Sequence, residues 1–151
     1  GEDADDAELD PEINLRVPAM IPDSYIKDVR LRLGFYKALA EIRSEDDLNR
    51  IADELRDQFG ALPDPVLNLM GLMLIRRQCK DLGVRDVSAG VKNISLIFTE
   101  KTKLKPEVVI KLAMRENKKY AITPDNRLNI RLNNITWTAV YEELGQLLRL
   151  I

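Results

Sequence analysis

No stretch constrains the fold of this chain as tightly as residues 62–83, LPDPVLNLMGLMLIRRQCKDLG. Eight of the ten residues from 66 to 75 are large and apolar. A helix here has no polar side until Arg76, and a helix apolar all round has to be covered by its neighbours. The ends are marked: Asp64 suits a cap, Pro65 the first helical position, Arg76, Arg77 and Lys80 the negative C-terminal end, and Gly83 a left-handed stop. At about eighteen residues this helix is about 27 Å long, the width of a small domain. The expectation is an α+β body built around a buried central helix.

Composition sets the class. With 45% hydrophobic and 32% charged residues in 151, a soluble globular chain is expected, and its length falls in the range of a single domain. There is no run of eighteen apolar residues and no charged-then-apolar leader, so neither a membrane span nor a secretory signal is expected; the default location is the cytoplasm. Cys79 is the single cysteine, which removes internal disulfides and multi-cysteine zinc sites. Histidine is absent. That takes away the commonest general base, the commonest nitrogen ligand and every triad that depends on imidazole. An enzyme is disfavoured, and no cofactor, metal or small-molecule substrate is expected.

Charge is unevenly placed. Residues 1–12 carry seven acids and no base, whereas the remaining residues set all 23 bases against 18 of the 25 acids. Residues 1–12 are expected to form an acidic, disordered linker, because Leu9 is their only large apolar residue and they repel themselves. Residues 13–151 are expected to form one α+β domain. Within it, 13–17 alternates like a short edge strand. Residues 28–43 carry two apolar stripes, Val29, Leu33, Tyr36 and Ala40 beside Leu31, Phe35, Leu39 and Ile42, both expected inward. Ser44 and Asp47 open a helix that Gly60 closes, with Leu48, Ile51, Ala52, Leu55 and Phe59 on its inner face. Asp47, Arg50, Glu54, Asp57 and Gln58 gather on the opposite flank. Read by itself, that flank is a solvated surface with weak helical ion pairs, Arg50 with Glu54 among them.

After the central helix come strands at 84–88 and 94–98, a helix over 106–117, strands at 120–122 and 127–132, and a last helix over 137–151. The order predicts N-terminal helices around the central helix, then two β-hairpins with an intervening helix and a C-terminal helix. No phosphate-binding loop or nucleophile elbow occurs. Glu54 and Asp57 share a helical face, as a catalytic carboxylate pair or magnesium ligands would, but nothing around them suggests a cleft that would shift their titration. Lys101, Lys103, Lys105, Lys111, Arg115, Lys118 and Lys119 concentrate positive charge in the second half. They are the candidate contacts for an alternative function, nucleic-acid binding, although no aromatic residues are interleaved for stacking.

Two segments resemble one family. The first is Pro22, Asp23, Ser24, Tyr25, Ile26, Lys27 and Asp28, followed by Arg32, Leu33, Gly34, Phe35, Tyr36 and Lys37. The second runs through Glu54, Asp57, Gln58, Phe59, Gly60 and Pro63 to Pro65, and Lys80 to Val84 continue it. In order and spacing they resemble the C-terminal (TRCF) domain of bacterial transcription-repair coupling factors. The resemblance implies a parent polypeptide that is a DNA-translocating ATPase, displaces stalled RNA polymerase and recruits the excision-repair protein UvrA. For this segment it implies a non-catalytic, autoinhibitory module that masks the UvrA-binding domain of the same polypeptide. The implied docking residues are Glu54, Asp57 and Gln58, with Gln58 standing where the family motif carries arginine. That exchange removes a bidentate, charge-assisted contact.

Overall fold

The structure is a computed structural model and describes residues 9–151. The acidic stretch expected as a linker falls mostly outside the described residues; its last residue, Glu12, already belongs to a strand. The elements are β1 (Glu12–Asn14), α1 (Val29–Ala40), α2 (Glu45–Phe59), α3 (Asp64–Leu82), β2 (Val84–Ala89), β3 (Asn93–Phe98), α4 (Pro106–Arg115), β4 (Tyr120–Ile122), β5 (Arg127–Arg131) and α5 (Trp137–Leu148). The chain divides into two compact units, Val17–Arg77 and a second that joins the residues up to Arg16 to Gln78–Ile151. The fold class is α+β, as the element order implied.

In the helical unit the caps form where the side chains allow. Asp28 accepts a hydrogen bond from the Leu31 amide at 3.1 Å, and Ser44 accepts one from Asp47 at 3.2 Å. The Asp47 carboxylate in turn accepts from the Arg43 amide at 3.0 Å. Each such cap satisfies an amide that the helix leaves without a partner. One stripe of α1 is inward through Phe35 and Leu39, with Ile42 just beyond the helix also buried, but its first member, Leu31, is 48% exposed. The other is not: Val29 and Leu33 are 56% and 61% exposed. They are four residues apart and so share one face, while Phe35 and Leu39 lie well round the helix from them. The apolar face of α1 is therefore wider than what the fold covers. The central helix is covered nearly all round, as its sequence implied: Val66, Leu69, Met70, Leu74, Ile75, Cys79 and Leu82 are buried on successive sides, and Leu67 alone of its large apolar residues is exposed.

The other unit holds a single five-stranded sheet of order β1-β2-β3-β5-β4. The two expected hairpins merge because β3 pairs antiparallel with β5, and β1 joins as a parallel edge on β2. Cross-strand rows explain the register. Val87 stands opposite Leu96, which stands opposite Leu128, and Ala89, Ile94 and Ile130 form the next row. All six are buried, so a slip of one residue would turn every one of them to the wrong face. The first strand stops at Asn14 rather than 17, two residues before Arg16, which takes φ 60° and breaks the extended chain. At the end of α3, Gly83 has φ 77°, and a Cβ there would lie 2.6 Å from the Thr102 Cα. Only glycine fits both the turn and that approach.

Candidate interdomain docking site

The outer flank of α2 is held by an aromatic frame at its C-terminal end. The Tyr25 hydroxyl donates to the carbonyl oxygens of Gly60 at 2.7 Å and Leu55 at 3.2 Å, tying the C-terminal end of α2 to the segment before α1. The Phe59 ring lies 5.8 Å from Tyr25 and 6.0 Å, edge to face, from Phe35. Burial raises the Tyr25 hydroxyl above its ordinary pKa, with the Arg56 charge opposing it. Gly60 closes the helix at φ 90°. Of the residues that carry the family resemblance, Tyr25, Phe35, Phe59 and Gly60 thus build the frame.

Glu54, Asp57 and Gln58 face away from it. All three are exposed, while Leu48, Ala52 and Leu55 on the inner side are buried. The helix carries six acids and two arginines, and both arginines are spent locally. Arg50 pairs with Asp47 rather than with Glu54, and Arg56 pairs with Asp53 at 2.9 Å. Asp47 sits at the helix start where its cap geometry already holds it, so it is the better-ordered partner for Arg50. Glu54 instead accepts a hydrogen bond from the Gln58 amide at 3.2 Å. Neither Glu54 nor Asp57 has a cation partner among the described residues. Beside Glu54 an open groove of about 440 Å³ runs between α1 and α2, lined by Ala38, Glu41, Ile42, Asp47, Arg50, Ile51 and Glu54. Ala38, Ile42 and Ile51 supply its apolar part, and its charged residues, three acids and Arg50, leave it net negative. Such a groove suits the aliphatic stem and cationic head of an arginine or lysine from a partner. The sequence pattern did not reveal this groove, because it needs the end of α1 beside α2.

The lysines are distributed differently. Lys101, Lys103 and Lys105 lie on the loop before α4, Lys111 on α4, and Lys118 and Lys119 beyond it. All but Lys119 are exposed. Lys119 binds Glu143 of α5 at 2.7 Å and lies 5.5 Å from the centre of the Tyr120 ring. Burial pulls the Lys119 ammonium down, but the hydrogen bond and charge of Glu143 outweigh it, so its pKa rises. Burial, reinforced by Glu143, also raises Tyr120. This cluster was not expected from the sequence. Its signal is Glu143 itself, a charged residue set among Val140, Leu144 and Leu147 on the buried stripe of α5. Cys79 is buried, and its thiol is pushed up to about 12 by burial and then by Asp86; a thiol in that state is a poor nucleophile. No helix among the described residues is long and apolar enough to cross a membrane.

The family model of the TRCF domain matches residues 15–109. The chain is 37% identical over 117 residues to the transcription-repair-coupling factor of Escherichia coli, covering 78% of this chain and 10% of that protein. It is 38% identical over 105 residues to the Haemophilus influenzae factor, covering 70% and 9%. The chain thus spans about a tenth of the length of the curated relatives it matches. A crystal structure of the C-terminal domain of a transcription-repair coupling factor superposes with a TM-score of 0.75 at 24% identity, covering 93% of this chain and 92% of that one. At that identity the match shows the shared fold.

Proposed function

The chain belongs to the TRCF-domain family, and from that premise we propose that it is a non-catalytic, autoinhibitory interaction domain of a transcription-coupled repair ATPase. In this reading α2 docks on the UvrA-binding domain of the same polypeptide and masks it until the full-length protein engages stalled RNA polymerase. UvrA and the polymerase are then partners of the parent, reached indirectly.

The observation that carries this reading is the leftover charge of α2. Both of its arginines are committed to Asp47 and Asp53, and Glu54 and Asp57 stay exposed on a helix whose far end is pinned by Tyr25. A helix with surplus carboxylates beside a net-negative, partly apolar groove is suited to a basic partner surface. Each such contact contributes little at an exposed site. Within one polypeptide, however, a linker supplies an effective concentration on the order of mM, enough to keep a weak latch mostly closed. Any ligand of the masked surface then favours the open state, and opening raises that ligand's affinity by the same factor. Gln58 is occupied by Glu54 and lacks the fork of an arginine, so this latch is expected to be weaker than one built with arginine.

The test is the full-length protein carrying Glu54→Ala with Asp57→Ala. UvrA binding is expected to rise, by about tenfold if the two contacts together contribute about 1.4 kcal/mol. Unchanged UvrA affinity would remove this face from the proposal.

A further inference from the structure

The sheet-containing unit has a second surface feature, independent of α2. Between α4 and the β4–β5 hairpin lies a hollow of about 300 Å³, lined in part by Phe98, Leu104, Val109, Ile110, Ile122 and Leu128. An apolar cavity of about 150 Å³ holds a benzene ring, so this one has room for one or two large apolar side chains. Two of its walls are open to solvent: Ile110 and Ile122 are 48% and 43% exposed, and Met114, one turn further along α4, is 75% exposed. Grouped apolar exposure of this kind marks interaction surfaces.

The surround is basic. From 101 to 111 the chain carries four lysines and a single acid, Glu107. The loop alternates: Thr102 and Leu104 line the hollow, while Lys101, Lys103 and Lys105 between and beside them are exposed. We propose that this hollow docks a short segment of a separate protein, one that inserts a large apolar side chain and flanks it with aspartate or glutamate. A nucleic acid would use the lysines but leave Ile110, Ile122 and Met114 against water. A second copy of the chain would bring the same basic face against itself. The chain's own acidic stretch leads into β1, at the opposite edge of the sheet from β4.

The 151-residue chain is titrated, by fluorescence anisotropy, into the labelled hexapeptide DELFDE and two controls, DEAADE and KKLFKK. Saturable binding of DELFDE is expected, weaker by about tenfold or more for each control. Ile110→Asp should weaken DELFDE by a similar factor. Lys103→Glu with Lys105→Glu, both exposed and so tolerated by the fold, should weaken it by at least about threefold and flatten its salt dependence. Absence of saturable binding, equal binding of DEAADE, or DELFDE binding unchanged in both variants overturns the proposal. So does a single-stranded oligonucleotide that displaces the peptide from the wild-type and Ile110→Asp chains alike.

Discussion

Glu54 and Glu143 are both glutamates on helices, three or four residues from apolar neighbours, and they have opposite fates. Glu143 is 7% exposed, pairs with Lys119 and has Tyr120 within reach at 3.5 Å. Glu54 lies on the open flank of α2 and meets a neutral amide. The first charge is consumed by the fold; the second is left over. The difference separates the carboxylates that stability requires from those available to a partner, and it can be attacked from both sides.

The largest effect is expected from the residue next to Glu54. Leu55 is fully buried, and Leu55→Ala should cost about 3 kcal/mol through lost burial and the cavity it leaves, read from a urea melt. Nearly as large is the response to alkali. Unfolded, the Cys79 thiol ionises near 9.0; folded, near 12. Below 9.0 both states keep the proton and the contribution is complete. Above it only the unfolded chain ionises, so stability falls, by about 3 kcal/mol at pH 11. Lys119 and Tyr120 act in the same direction from their ordinary values of 10.5 and 10.0, since both are raised in the folded state. Cys79→Ala should flatten the slope between pH 9 and 10 in urea melts; an unchanged slope would contradict the burial of the thiol.

Glu143→Ala should cost about 2 kcal/mol, less than a fully buried pair because Lys119 keeps partial access to water. It should also lower the Lys119 titration, followed by NMR, because burial then acts without Glu143 to oppose it. Glu54→Ala with Asp57→Ala should change the urea midpoint by no more than about 0.5 kcal/mol. A loss as large as that of Glu143→Ala would mean that the flank is structural, and the contrast would fail.

Much of this organisation was legible in the sequence, for stated reasons. Ser44 and Gly60 mark α2 through cap chemistry, and the alternation in 94–98 marks β3. The exposed position of Glu54 and Asp57 follows from helical spacing against Leu48, Ala52 and Leu55. What was illegible depends on tertiary pairing. Nothing local distinguishes the exposed Val29 and Leu33 from the buried Phe35 and Leu39, because apolar periodicity does not say how much of a wide face finds a neighbour. The pairing of β3 with β5 joins residues thirty or more apart. Arg50 chose Asp47 over Glu54 because a capping carboxylate is already fixed, and helical spacing allows either.

The most direct measurement is a binding titration of this domain, supplied in trans, against the remainder of its parent polypeptide. Saturable binding that weakens with added salt, and by about tenfold on Glu54→Ala with Asp57→Ala, is the predicted result. Binding that is absent, or that survives both substitutions unchanged, would contradict the claim that the outer flank of α2 is a latch.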